Sequence, residues 1–208
     1  MIDYIHVLDP TFFQDEDPIS IARSLLGKFL ISNLDNKSIV TRIVETEAYK
    51  APEDKASHAF DNKKTKRTKT MFELGGISYI YLCYGLHQMF NIVTGPKDIP
   101  HAILIRAVEP IAGISFIKER RKVKSPLNYC NGPGKLCNAL GINKNLNAFN
   151  VCDKEMPIWI GDNDMIDENK IIASPRVGVG YAEECAHWPF RFYIDGNPHV
   201  SLPRIVHY

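Results

Sequence analysis

The chain has 208 residues, 45% of them hydrophobic and 24% charged, and its 25 Lys and Arg against 24 Asp and Glu give a formal net charge of +1. That apolar content can bury one sizeable core, so a single domain over 1–208 is expected, and the near-neutral balance leaves local charge to indicate any nucleic-acid partner. Five cysteines in an odd count and without CxxC spacing argue against a secreted disulfide framework and against a structural zinc or iron–sulfur site.

The opening residues MIDYIHVLDP lack the basic and apolar regions of a signal peptide. No apolar run approaches the roughly 20 residues of a membrane span. An intracellular protein with reduced thiols and no membrane association is expected. Asp17-Pro18 reads as an N-cap followed by a proline at the first helical position. The helix it opens, running to Leu26, carries Ile21, Ala22, Leu25 and Leu26 at helical spacing, and Gly27 can close it.

β-type signals then dominate. KFLIS (28–32) and SIVTRIVETEAY (38–49) flank LDNK, a hairpin turn. ISYIYLCY (77–84) breaks at Gly85, and HQMFNIV (87–93) returns antiparallel to it. HAILIRAVEP (101–110) is a strong strand ended by Pro110. RVGVGY (176–181) and RFYI (191–194) are shorter strand candidates. Helical patterns fall at about 110–122 and from Gly132-Pro133 through KLCNALG. The pattern predicts one mixed α+β domain with a largely antiparallel sheet flanked by helices.

Charge is unevenly spread along the chain. DNKKTKRTKT (61–70) and KERRKVK (118–124) each hold five basic residues and one acid, whereas 153–170 holds six acids and two lysines. A lone run of this kind is most often a solvated loop. Two basic runs with the acids set apart point to a DNA-facing side.

VETEAY (44–49) is the centre of the functional argument. Side chains two apart on a strand share a face, so Glu45, Glu47 and Tyr49 project together. A carboxylate beside an aromatic platform suits hydrolysis of a bond to a flat ring, because it draws a proton from water while the ring holds the leaving group. The plain alternative is an acidic, solvent-facing edge with a half-buried tyrosine. His58 follows eleven residues after Glu47, and Tyr79, Tyr81 and Tyr84 cluster in one segment. An aromatic ring against a base contributes roughly 1–3 kcal/mol, comparable with the few kcal/mol needed to unstack it. Tyr81 and Tyr84 would point in opposite directions, one into a pocket and one, at a hairpin tip, into a duplex. Arg106 and Asn91 are polar residues inside apolar strands. Arg106 must find an anion, either as a structural pair with Glu109 or Glu45 or as a partner of Glu47. Asn91 is either a satisfied core amide or a base-reading one.

In order, the segments VETEAY, PEDKASH, MFELGGISYIYLCYGLHQMFNIV, ILIRAVEP, GPGKLC, RVGVG and RFYIDGNPHVS resemble the alkyladenine (3-methyladenine) DNA glycosylase family, from about Asp17 to about Ser201. The resemblance implies a curved antiparallel sheet and a role for each matching position. Glu47 would be the general base that activates water, held with that water by Arg106 and the main chain at Val177. Tyr49 and His58 would stack on one face of a flipped base and Tyr81 on the other, with the backbone at His58 and Ala59 reading the base edge. Tyr84 would enter the minor groove, and Asn91 would crowd the exocyclic amine of guanine. His87 beside the wedge and the loop TGPKDIP (94–100) depart from the family pattern in ways that bear on substrate preference and DNA affinity.

The implied activity is monofunctional excision of alkylated or deaminated purines (3-methyladenine, 7-methylguanine, hypoxanthine, ethenoadenine) from duplex DNA. The protein would act as a monomer with no cofactor and no metal, in the cytoplasm or nucleoid of a bacterium or the nucleus of a eukaryote. No lysine falls in the matched catalytic motifs, so an abasic site without strand cleavage is expected. Two rivals compete with this reading. One is a noncatalytic nucleic-acid-binding module. The other is a sugar hydrolase on Glu45 and Glu47, which sit about 7 Å apart at about 3.3 Å per strand residue.

Overall fold

A computed structural model describes residues 4–204. Its architecture is α+β. Eight strands form one antiparallel sheet with three helices packed against it: β1 (Phe29–Leu34), β2 (Lys37–Tyr49), β3 (Ser78–Cys83), β4 (His87–Thr94), β5 (His101–Ala112), β6 (Ile158–Gly161), β7 (Ile171–Ser174) and β8 (Arg191–Ile194), with α1 (Pro18–Ser24), α2 (Ile114–Arg120) and α3 (Pro133–Leu140). The sheet order is β3-β4-β5-β2-β1-β6, and β8 pairs with both β2 and β7. Among the described residues no helix is long and apolar enough to cross a membrane.

Local chemistry sets the element ends. The Asp17 carboxylate caps α1 by accepting from the amides of Ile19 and Ser20. Asp35 and Asn36 join β1 to β2 with φ of 55° and 57°, the positive pair that a two-residue type I′ turn requires. Tyr84 and Gly85 turn β3 into β4 with φ of 50° and 69°.

Three readings of the sequence need correction. Pro110 does not end its strand, since β5 continues to Ala112. Pro110 is matched with Thr41 on β2, and β4 covers β5 only at 101–104, so the missing N–H falls on an open edge. The helix expected from 110 therefore begins only at Ile114, after Gly113 turns the chain at φ 74°. RVGVGY is not a strand but an irregular loop, with Gly178 at φ 80°. Strands β6 and β7, short and without clear alternation, were not expected.

Strand alternation divides the sheet between two environments. Ile80, Phe90, Ile92, Ile103 and Ile105 face the main core with Leu25, Leu136 and Leu140 from the helical side. Their neighbours Tyr79, Tyr81, Asn91, Leu104 and Arg106 line a cavity on the other face. One row crosses four strands there, with Tyr79 paired to Asn91, Asn91 to Leu104 and Leu104 to Glu47. β2 is the hub of the sheet. Its first half pairs with β1 and residues 45–47 pair with β8, while β5 follows its other edge. The β2–β5 register shifts between Ile43 and Glu45 and again between Glu45 and Thr46, leaving Val44 and then Arg106 without a direct partner. Bulges of this kind re-aim side chains, and these two flank Glu45.

Candidate active site

The cavity has a volume of about 420 Å³ and is walled by aromatic rings from β2, β3 and the loop after β2. Glu47 is fully buried one layer behind its wall. Its Oε1 accepts from the Val177 amide at 2.7 Å and lies 3.3 Å from an Arg106 nitrogen, while its Oε2 accepts from the Tyr49 hydroxyl at 2.8 Å. All three partners line the cavity. Val177 and Tyr49 donate hydrogen bonds and Arg106 adds an ion-pair contact, which suits an acceptor-only carboxylate with lone-pair capacity left for a water. The Val177 N–H is spent on Glu47 itself, so only the Val177 carbonyl is left for a water. The RVGVG loop is irregular because its amide turns inward to this carboxylate.

Glu45 has a different task. It is fully buried and accepts from Arg106 Nε at 2.8 Å, Arg191 Nε at 2.7 Å, and the Ser201 amide and hydroxyl. Burial pushes its pKa up, but Arg106, Arg191 and the Ser201 amide outweigh this and hold it low. Arg106 thus gives its shorter contact to Glu45 and its longer one to Glu47. Of the two structural partners weighed for Arg106, Glu45 is the one it pairs with, while Glu109 binds Arg42. The sugar-hydrolase alternative loses its second carboxylate, since Glu45 is committed to two arginines and to Ser201.

A second buried pair supports the site from the side. Arg176 donates to both oxygens of Asp54, to the Ala48 carbonyl at 2.8 Å and to the Cys185 carbonyl at 3.1 Å. Its guanidinium lies 4.7 Å from the Tyr49 ring centre, backing the ring whose hydroxyl holds Glu47. Burial, and then the neighbouring Glu47, raise the Tyr49 phenol well above its usual pKa, so it stays a donor. Asp54 and Arg176 lie inside PEDKASH and RVGVG, yet sequence reasoning gave them no role. A partner 122 residues away leaves no local signal.

The aromatic wall is tighter than the sequence suggests. His58 meets Tyr81 edge-on, with ring centres 4.5 Å apart and planes at 74°. Its Nδ1 is 2.9 Å from the Tyr79 hydroxyl, and Tyr79 and Tyr81 lie 5.6 Å apart. Burial, reinforced by the nearby Arg67 cation, lowers the His58 pKa from 6.5 to about 4. The unfolded chain therefore takes up this proton first. Stability owed to neutral His58 is complete above about pH 6.5 and declines as pH falls towards about 4. Urea midpoints should fall faster over that window for the wild type than for His58→Asn, whereas parallel pH profiles would show that the imidazole is not held neutral.

The remaining expected residues divide into two groups. Asn91 is on the cavity wall, and its amide nitrogen donates to the Tyr79 and Met89 carbonyls at 3.0 and 3.3 Å. Ala59 is not on the wall. It is buried in a small apolar cluster with Met71 and Phe72, and its N–H goes to the Ser57 hydroxyl. Tyr84 is 90% exposed at the hairpin tip on the cavity rim, with Leu82 and Leu86 also exposed beside it. Of the first basic run, Arg67 reaches the cavity, and of the second, Arg121 lines a neighbouring groove below the tip with His87 and Lys135. The acidic stretch lies elsewhere, with Asp162 pairing with Lys28 and Glu168 with Arg23.

A family profile described as methylpurine-DNA glycosylase matches residues 11–198. The chain belongs to the methylpurine-DNA glycosylase family. Three bacterial relatives, each provisionally described as a 3-methyladenine DNA glycosylase, align over nearly their whole length. The protein of Natranaerobius thermophilus is 45% identical over 94% of this chain and 98% of its own. One from Bacillus cereus is 40% identical over 92% and 98%, and one from Desulfitobacterium hafniense is 39% identical over 91% and 96%. The segments that carry the resemblance in the sequence all lie within or at the border of the family match, and all but the last contribute residues to one cavity.

Proposed function

We propose that the protein is a monofunctional DNA glycosylase that turns an alkylated or deaminated purine out of duplex DNA into this cavity and hydrolyses its bond to deoxyribose. The observation that carries the reading is Glu47, a buried carboxylate held by two hydrogen-bond donors and paired with an arginine, all three of which line an aromatic cavity. Purine departure leaves an electron-poor, oxocarbenium-like sugar. Glu47 stabilises that charge and takes a proton from the attacking water. Arg106 and the Val177 main chain fix the carboxylate rather than the purine. Tyr49 and Tyr81 supply ring faces, which favour electron-poor rings such as methylated purines. His58 and Asn91 present polar edges to the base.

A cationic base such as 3-methyladenine or 7-methylguanine leaves without acid help, whereas hypoxanthine and ethenoadenine would draw on a proton donor. No lysine lines the cavity among the described residues. The product is then an abasic site on an intact strand, not a Schiff base. The relatives are bacterial, which supports action on chromosomal DNA in the cytoplasm.

Tyr84 is the wedge that fills the vacated stack. Tyr84→Ala should weaken binding to damaged duplex by about 10–100-fold, from the roughly 1–3 kcal/mol of one aromatic–base stack, and should slow chemistry on an already flipped base much less. Equal duplex affinities would remove the wedge. The whole reading is tested by incubating the protein with duplexes carrying methylated purine, hypoxanthine or ethenoadenine, followed by alkaline cleavage. A noncatalytic DNA-binding module would bind these duplexes and yield no alkali-labile site.

A further inference from the structure

Arg67 belongs to the basic loop at 61–70 and is exposed, yet its side chain turns back onto the cavity wall instead of outwards. Its guanidinium carbon lies 4.8 Å from the Tyr81 ring centre, and one of its terminal nitrogens is 3.1 Å from His58 Nε2. No carboxylate pairs with it among the described residues. A guanidinium can only donate, so the contact makes His58 Nε2 the acceptor and leaves the ring proton on Nδ1, facing the Tyr79 hydroxyl.

We propose that Arg67 is a placeholder for the purine: in the free protein its flat guanidinium cation occupies the stacking position on Tyr81, and an incoming base must displace it. The inference rests on the reading that the cavity takes a purine. A delocalised planar cation and an electron-poor purine ask the same thing of a tyrosine ring, namely a face at stacking distance. Both cannot have the same face. His58, pressed edge-on against Tyr81, closes the slot further, and the Arg67 contact occupies the one imidazole nitrogen that is not facing Tyr79. Displacement frees the Tyr81 face and His58 Nε2 together. The exposed arginine then has DNA phosphates within its range as alternative partners, so duplex DNA trades one contact for another while a free base does not.

The test titrates free ethenoadenine, a fluorescent base, into the wild type, Arg67→Ala and Arg67→Lys. Lysine keeps the charge for phosphate but loses the plane and the fork. Both variants should bind the base about three- to tenfold more tightly than the wild type, the scale of one exposed cation–π contact and its hydrogen bond. Arg67→Lys should in addition keep duplex affinity near wild type. Unchanged base affinity in both variants would reduce Arg67 to a phosphate ligand, and weaker base affinity in both would make it a direct base contact. Either result overturns the placeholder. The enzymatic reading fails separately, if wild-type protein leaves methylated duplex without alkali-labile sites whatever Arg67 does.

Discussion

Glu47→Gln is expected to slow release of a damaged purine by about 10²–10⁴-fold, the usual contribution of a positioned general base. Affinity for a duplex containing an abasic site should stay close to wild type. The substitution is mild as structure. The glutamine carbonyl can still accept from the Val177 amide at the position of Oε1, and its NH₂ can donate to the Tyr49 oxygen in place of the present 2.8 Å bond. Arg106 is not stranded, because Glu45 already holds its Nε. What the amide cannot do is take a proton from water or offset charge on the sugar. Single-turnover rates with enzyme in excess, set beside a binding titration, separate the two effects. A rate within tenfold of wild type would remove residue 47 from the chemistry.

The same logic explains why Glu45 is unsuitable as a second catalytic acid. It accepts four hydrogen bonds from Arg106, Arg191 and Ser201. Its role is to carry part of the Arg106 charge, so that Glu47 shares this arginine rather than forming a closed pair with it.

The largest loss of stability should come from Asp54→Ala. Arg176 and Asp54 are both fully buried at their side chains. Removing the carboxylate leaves a guanidinium out of water with only the Ala48 and Cys185 carbonyls, and its Nε already has no partner. Breaking a buried pair on one side typically costs about 3–5 kcal/mol. For a domain of this size that lowers Tm by about 6–20 °C. The Tyr49 ring would lose its cationic backing, so activity should fall as well, even at temperatures where the variant is folded. Calorimetry of Asp54→Ala beside the double variant Asp54→Leu, Arg176→Met checks the cause. Replacing the whole pair by apolar groups should restore much of the loss, because no buried charge is left uncompensated. A single variant within 1 °C of wild type would mean that water reaches Arg176.

Much of the fold could be read because its signals are local. Asp17-Pro18 caps a helix as expected, Asp35-Asn36 and Tyr84-Gly85 turn hairpins, and Gly141 ends α3 at φ 76°. RVGVGY misled because its alternating valines imitate a strand, whereas tertiary bonds to Glu47 and Asp54 decide its conformation. Pro110 misled because its effect depends on which strand edge is open. In the site, the shared face of Glu45 and Glu47 followed from a period of two. Their division of labour did not, since it is imposed by arginines 61 and 146 residues away. The basic run at 61–70 was visible as charge, but charge alone does not tell which of its residues folds back over a ring.

The most direct measurement is a crystal structure of Glu47→Gln bound to a duplex that carries one methylated or deaminated purine. That purine should lie between Tyr49 and Tyr81, its sugar carbon facing residue 47, with Arg67 withdrawn from Tyr81 and Tyr84 inside the duplex. A lesion still stacked in its helix, or a cavity left empty while DNA lies on another face of the sheet, would contradict it.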